Sequence, residues 1–143
     1  MTISATALRG TPLTPAHEDG QYIPGVCNIG PQEIARRRRT GHFGLIVSVV
    51  VLVALIVVDA PPLLRLVLFF PVALSASGYL QAYLKFCAGF GQIGVFNFGD
   101  RSAIEHIEDK AARRKDRVKA WQISIFSGVI GLAVAIAAVL LPI

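Results

Sequence analysis

The sequence predicts an all-α membrane protein with three transmembrane helices. Hydrophobic residues make up 54% of the 143 residues, charged residues only 16%, and the mean hydropathy is +0.61. A soluble domain has about 45–50% apolar and about 25% charged residues. The excess lies in three blocks long enough to cross a bilayer as helices, at about residues 42–60, 63–84 and 120–142.

The first helix is expected to begin well before the membrane. Gly30 can act as its N-cap, and Pro31 suits the first helical position because its missing N–H would be unpaired there anyway. Glu33 favours the positive end of the helix dipole. The helix then runs through the four arginines at 36–39 into the first apolar block, while residues 1–24 predict a disordered cytoplasmic tail.

A proline pair separates the first two spans. The string "DAPP", residues 59–62, predicts a tight turn, since it ends one helix and can start the next. Pro71 lies inside the second span and predicts a kink. Arg65 lies near the outer end, where it is expected to extend to the headgroups or to pair with Asp59.

Basic residues determine the predicted orientation. They flank the first span and fill the segment between spans two and three, so the positive-inside rule gives a cytoplasmic N-terminus and an external C-terminus. Because they adjoin the spans, we expect them to contact the anionic inner leaflet and not nucleic acid. These residues are Arg36, Arg37, Arg38, Arg39, Arg113, Arg114, Lys115, Arg117 and Lys119. The sequence therefore predicts a multi-pass protein of the inner cell membrane.

Two polar segments follow the second span. Residues 86–99 contain four glycines and four phenylalanines, which predict an ordered interfacial loop rather than a continuous helix or a solvated coil. Ser102-Ala103-Ile104-Glu105 is a capping box and predicts a charged cytoplasmic helix that continues into the third span. The expected units are thus a tail (1–24), a helical hairpin with its loop (25–99) and a charged helix with the third span (100–143).

The arm before span one and the loop after span two are expected to meet, because antiparallel neighbours joined by a tight turn have adjacent inner ends. The Asn28 side chain is expected to hydrogen-bond loop carbonyls, and Gly30 to let the backbones approach. The residues of this predicted arm–loop clamp are Asn28, Gly30, Glu33, Gly94 and Asn97.

Cys27 and Cys87 form a candidate thiol pair in the same region. Neighbouring arginines and a helix start favour the thiolate form. Against this hypothesis, cytoplasmic disulfides are rare, and a buried cysteine commonly packs as a small hydrophobe.

The string "CNIGPQEIARRRR" has Asn-Ile-Gly, an acidic residue five places after the asparagine and an arginine nine places after it. It resembles the Asn-Val-Gly start of the YgaP-like inner-membrane family, whose two-helix domain anchors certain rhodaneses and also occurs alone. That family closes its second helix with Phe-Cys and a Gly-Ile pair seven residues later, where this chain has Phe86-Cys87 and Gly94-Val95. The resemblance covers residues 27–97, although Ala88 replaces the usual proline. It implies a self-associating helical hairpin, and sulfur transfer belongs to the fused partners.

Small residues predict close helix packing in lipid. Span three carries two rows of them, and span two carries a patch that matches. Packing within one chain and contact in a homodimer fit this pattern equally. The residues are Ser124 and Gly128 in one row, Ser127, Gly131 and Ala135 in the other, and Gly78 and Ala82 in span two.

The function favoured by the sequence is that of a non-enzymatic oligomerising or accessory subunit whose cytoplasmic face docks a protein partner. No Asp, Glu, Lys or His lies at the middle of a span, so no ion path is expected. No nucleophile–base constellation is evident, and two cysteines are too few for a structural zinc site, so we expect no cofactor or metal. The alternative is a membrane thiol redox or sulfur carrier that uses Cys27 and Cys87.

Overall fold

A computed structural model describes residues 22–98 and 104–143. Its elements are α1 (Pro31–Val57), a 3-10 helix (Pro62–Leu68), α2 (Phe69–Leu84), α3 (Ala88–Ile93), β1 (Val95–Asn97), β2 (Ile104–His106) and α4 (Lys110–Leu140). Three of these helical segments are long and apolar enough to cross a membrane: α1, the 3-10 helix with α2, and α4. The three predicted spans are therefore confirmed by length and composition. The apolar part of α4 begins after Lys119.

The start of α1 and the turn after it follow the sequence prediction. Gly30 is the N-cap and Pro31 the first helical residue, and the helix continues from the arginines into the apolar block without a break. After Val57 the chain reverses at Asp59, whose left-handed φ of 52° ends the helix. The 3-10 helix then begins at the second proline of the pair, Pro62.

The second span is not a uniform helix. Its first seven residues, Pro62–Leu68, form a 3-10 helix, and α geometry begins at Phe69. Pro71 explains the position of this change, because it has no N–H to donate to the carbonyl four residues earlier, at Val67. The expected irregularity thus lies just before the proline, as a change of helix type.

Glycines let α1 and α2 pack closely. A Cβ atom added at Gly78 would lie 2.5 Å from the backbone N of Gly41 and 2.8 Å from the carbonyl oxygen of Arg37. One added at Gly44 would lie 2.7 Å from the backbone N of Ser75. Gly78 therefore lies in a close helix contact, and its partner is α1 rather than the small-residue rows of span three. Ala82, the other member of that patch, is buried.

One small-residue row of α4 packs within the chain, and the other does not. Ser127, Gly131 and Ala135 are buried, and a Cβ atom at Gly131 would lie 2.9 Å from the Phe69 carbonyl oxygen. Ser124 is exposed, and a Cβ atom at Gly128 would meet no atom within 4 Å. The second row is thus free for contacts outside the described chain.

The predicted start of the charged helix is wrong. Residues 104–106 form β2, which pairs antiparallel with β1, and α4 begins only at Lys110. The N-cap is Asp109, whose side chain accepts a hydrogen bond from the backbone N–H of Ala111 at 3.1 Å. The pairing of Ile104 with Asn97 draws the proposed capping box into a strand. Ser102 and Ala103 of that box lie outside the described residues.

The segment predicted as a loop contains regular structure. It forms the six-residue helix α3 and the strand β1, separated by Gly94 at a φ of 75°. The predicted tail also ends too late, because Tyr22 and Ile23 already make defined contacts. The rest of that tail, residues 1–21, lies outside the described part of the chain.

Arg65 does not extend to the headgroups or pair with Asp59. It is only 3% exposed, and its guanidinium donates to the carbonyls of Ala138 (2.9 Å), Leu141 (3.0 Å) and Ile143. Carbonyls at a helix C-terminus lack intrahelical partners and carry partial negative charge, so they favour a cation. Arg65 therefore ties the second span to the end of α4.

The Gly78 and Gly128 positions give a matched test of the packing. We expect Gly78→Ala to lower the free energy of unfolding by about 1–3 kcal/mol, because the added methyl group overpacks a backbone contact. Gly128→Ala should be neutral or stabilising by up to about 1 kcal/mol, since alanine is the better helix former and the site is open. Denaturant titration in detergent micelles measures both. Equal effects of the two substitutions would contradict the packing.

Candidate functional site

The candidate site is the contact between the arm (residues 22–30) and the connector (residues 85–98), which we call the junction. The arm crosses the connector as a short parallel bridge between Ile29 and Asn97. The backbone N–H of Gly30 donates to the Asn97 carbonyl at 2.9 Å, and the Asn97 N–H donates to the Asn28 carbonyl at 3.0 Å. The Asn28 N–H donates to the Lys85 carbonyl at 3.2 Å. The backbone at the two ends of the hairpin is thus joined directly.

The Asn28 side chain adds a second pair of hydrogen bonds. It is fully buried, its Oδ1 accepts from the Cys87 N–H at 2.7 Å, and its Nδ2 donates to the Cys87 carbonyl at 3.1 Å. Lys85 makes this possible, because its left-handed φ of 54° ends α2 and turns the chain toward the arm. Cys87 is extended and caps α3, so its N–H has no intrahelical partner.

The other residues of the predicted clamp divide between two places. Gly30 lies inside the junction, where a Cβ atom would come within 2.8 Å of the Phe98 carbonyl oxygen. Asn97 is buried there too. Gly94 instead lies beside α4: its carbonyl accepts from the Ile107 N–H at 2.9 Å, and a Cβ atom would contact the Arg113 side chain.

Glu33 reaches the junction through an arginine. Its buried carboxylate binds Arg36 at 3.2 Å and Arg37 at 3.4 Å. The Arg37 Nη2 also lies 3.0 Å from the Sγ atom of Cys87. The Glu33 carboxylate, the Arg37 guanidinium and the Cys87 thiol are therefore linked in a row beside the first turns of α1.

Both cysteines are buried and free of disulfides. Cys27 is 3% and Cys87 4% exposed. The Cys27 thiol contacts the Ile29 carbonyl at 3.6 Å, whereas Cys87 contacts Arg37. Asn28 connects the two cysteines, because it follows Cys27 in the chain and its side chain hydrogen-bonds the backbone of Cys87.

A second polar cluster, which the sequence analysis missed, ties the arm to α4. The fully buried Asp116 accepts from the Tyr22 hydroxyl and from the Gly25 N–H, both at 2.7 Å. The Tyr22 ring also stacks on Phe96 with 4.7 Å between ring centroids. The arm is thus held by the connector on one side and by α4 on the other.

The sequence did contain a signal for Asp116. It falls in register with the buried positions Ala112, Ala120 and Ile123, at the three- and four-residue spacing of one helix face. An acidic residue on a buried face requires a partner, because an unpaired buried charge is very unfavourable. The partner itself, Tyr22, could not be identified from the spacing.

Burial shifts the pKa values of the Tyr22–Asp116 cluster, which lies outside the apolar part of α4. Burial raises the pKa of Tyr22 above its ordinary value, and the hydrogen bond to Asp116 raises it further. Burial also raises the pKa of Asp116, while the hydrogen bonds from Gly25 and Tyr22 act in the opposite direction. The pair is therefore most stable when Tyr22 remains protonated.

Hydrogen bonds hold several buried polar side chains here, whereas the buried Nε atom of Arg37 has no partner among the described residues. Asn28, Asp116 and Gln81 are all buried with polar atoms engaged; the Gln81 side chain donates to Ser77 and accepts from the Ala88 N–H. Residues 22–98 and 104–143 contain no group of three His, Cys, Asp or Glu side chains placed to hold a metal ion. What the described geometry does is hold the arm, the connector and α4 in one fixed relation.

Comparison of the chain with protein-family models, with curated proteins and with solved structures finds no match.

Asn28→Ala tests the junction. The substitution leaves the buried Cys87 N–H without its partner, which should lower the free energy of unfolding by about 1–3 kcal/mol. Amide hydrogen exchange at Cys87 should accelerate at the same time. Gln32→Ala, at an exposed position on the first turn of α1, is the control and should change neither quantity. Unchanged exchange at Cys87 in the Asn28 variant would show that the side chain does not hold the connector.

The Tyr22–Asp116 contact predicts a pH dependence. A phenol whose pKa is raised by folding stabilises the folded arm at pH below about 10, the ordinary tyrosine value, and this stabilisation is lost as the pH rises through the folded-state pKa. In a spectrophotometric titration of the protein, Tyr22 should give a late component that ionises above the ordinary tyrosine range. Tyr22→Phe should remove that late component and keep the ring stack. A late component that survives in the variant would assign it to another tyrosine.

Proposed function

We propose that this protein is a non-enzymatic, multi-pass subunit of the inner membrane, of the YgaP-like type, whose cytoplasmic face docks a protein partner. The observation that carries the proposal is the Asn28 side chain, which uses both its polar ends on the backbone of Cys87. A side chain whose amide oxygen and amide nitrogen are both bonded to the backbone favours a fixed binding surface over a reactive site. Asn28 and Cys87, which belong to the two short motifs that resemble the YgaP-like family, are the residues in contact.

Charge supports an orientation with the junction in the cytoplasm. The arginines at the start of α1 and the basic residues at the start of α4 lie at the end of the molecule that carries the junction. At the opposite end Arg65 is buried against carbonyls. By the positive-inside rule the N-terminus is cytoplasmic and the C-terminus external.

The exposed basic residues indicate the kind of partner. Arg36, Arg38 and Arg39 on α1 are exposed, as are Arg113, Arg114, Lys115 and Arg117 on α4. Arranged around an ordered junction, they present a cationic surface of fixed shape next to the membrane. A protein with an acidic surface is the complementary partner, since opposite potentials guide association and fix its register.

Self-association is the second part of the proposal. Ser124 is exposed and a Cβ atom at Gly128 would meet no atom within 4 Å, so the Ser124–Gly128 row has room for another helix. Small residues four positions apart allow helices to approach closely in lipid. We assign this row to a homodimer contact, which Gly128→Leu should weaken in a crosslinking assay, whereas Val129→Leu, at an exposed position rotated by about 100° around α4, should not.

Affinity capture with matched variants tests the docking role. The tagged full chain is crosslinked in cells, extracted in mild detergent and compared with Asn28→Ala and with Gln32→Ala by quantitative mass spectrometry. We expect a protein to be captured in near-stoichiometric amount by the wild type and by Gln32→Ala, and to be lost from Asn28→Ala at equal membrane level. Recovery of the same proteins with all three chains would contradict a docking role for the junction.

A thiol carrier is the second candidate, and the contact between Arg37 Nη2 and Cys87 Sγ at 3.0 Å favours it. The contact places a positive charge and a hydrogen-bond donor beside the sulfur atom. The burial of both thiols opposes it, because the junction would have to open for reaction. Alkylation of intact cells followed by mass spectrometry would detect cycling between reduced and oxidised forms. Full cellular function of a Cys27→Ser, Cys87→Ser double variant would exclude the carrier.

A further inference from the structure

An apolar groove runs along the side of α2 that lies open between α1 and α4. Because α2 packs against both α1 and α4, and these two make little contact with each other, a hollow of about 620 Å³ remains between them. Its walls include Leu45 and Leu52 of α1, Val72 of α2 and Val134 of α4. The groove is thus an open, apolar depression on the surface of the membrane-crossing part of the molecule.

Three hydroxyl groups on the groove wall, those of Ser48, Ser75 and Tyr79, are already engaged. The Ser48 hydroxyl donates to the Gly44 carbonyl at 2.7 Å, and the Ser75 hydroxyl donates to the Gly41 carbonyl at 2.8 Å. The Tyr79 hydroxyl lies 2.5 Å from His42 Nδ1, at the end nearer the junction. The interior therefore favours a hydrocarbon occupant, because it leaves no serine hydroxyl unpaired.

Cations border only one end of the groove. Arg38 is exposed and precedes Leu45 by seven residues, or two helical turns, so it lies on the same face of α1. On the other side Lys119 borders a hollow that also includes Leu80 and Leu84, and Leu80 is shared with the groove. At the far end Arg65 is buried and donates to carbonyls. The groove is apolar along its length and cationic at the end where α2 finishes.

The volume of the groove suits a lipid-sized occupant. Ligand pockets commonly have volumes of about 300–1,000 Å³, and the groove, at about 620 Å³, lies within that range. A helix could rest on the rim, whereas acyl chains can enter and fill the space.

We propose that this groove is a binding site for one anionic phospholipid, with its acyl chains along Leu52 and Val72 and its phosphate between Arg38 and Lys119. The groove supplies the apolar walls and the two cations supply the charge that selects an anionic headgroup. Arg38 and Lys119 are the specificity-determining residues. The site does not use the Asn28–Cys87 contact of the junction, although it shares Arg38 with the cationic surface proposed for the protein partner.

Native mass spectrometry of the purified full chain tests the proposal. The protein is exchanged into detergent with equal amounts of phosphatidylglycerol and phosphatidylcholine that carry the same acyl chains. We expect one phosphatidylglycerol to be retained per chain in preference to phosphatidylcholine. Arg38→Gln and Lys119→Gln should each weaken retention about fivefold, because one basic residue contributes about 1 kcal/mol near an anionic lipid and 1.4 kcal/mol is a factor of ten.

Arg39→Gln is the matched control, since it removes the same charge from an exposed position rotated by about 100° around α1. It should leave retention unchanged, and circular dichroism should show the same helix content in all variants. A phosphatidylglycerol with a photoreactive acyl chain should label peptides from the groove walls and not the opposite face of α4 around Trp121.

Three results would overturn the proposal. Equal retention of the two lipids would exclude headgroup selection. An effect of Arg39→Gln as large as that of Arg38→Gln would reduce the interaction to general surface charge. A lipid-free dimer whose crosslinks map to the groove would assign it to a second copy of the chain.

Discussion

The two hydrogen bonds between the Asn28 side chain and the Cys87 backbone hold the basic end of this molecule together. At that point the chain leaves α2, begins a six-residue helix and needs partners for backbone groups that are buried next to a membrane. Asn28 supplies an acceptor and a donor in one planar group, and the neighbouring backbone bonds to Lys85 and Asn97 extend the contact. The position of the arm, and through it the shape of the cationic surface, depends on this pairing.

The spans are arranged to permit that contact. Glycines at 41, 44 and 78 bring α1 and α2 close enough for Arg37 to reach Cys87. At the other end Arg65 attaches the second span to the carbonyls of α4. Since α2 takes the central position and α1 and α4 flank it, one side of α2 remains uncovered and forms the groove. The close packing at the junction and the open groove thus have the same cause, which is the use of α2 as the shared element.

Features with a local physical cause could be predicted from the sequence. The three apolar segments, the Gly30–Pro31 helix start and the proline turn depend on residue type and short spacing alone. The Asn28 contact was expected because a tight turn brings the ends of two spans together. The start of α4 was misplaced, because a capping box cannot reveal that Ile104 pairs with Asn97 some distance back in the chain. The Tyr22–Asp116 and Arg65 contacts join residues far apart in sequence, and no local pattern identifies such partners.

The orientation expected from the basic residues requires the arm and the charged start of α4 to lie on one side of the membrane, at the end opposite the proline turn. Single cysteines introduced at the exposed positions Val26, Glu108 and Leu63, in a Cys27→Ser, Cys87→Ser background, can be labelled with a membrane-impermeant maleimide before and after permeabilisation of cells. We expect Leu63→Cys to react in intact cells, whereas Val26→Cys and Glu108→Cys should both react only after permeabilisation. Reaction of the cysteines at 26 and 108 from opposite sides of the membrane would contradict it.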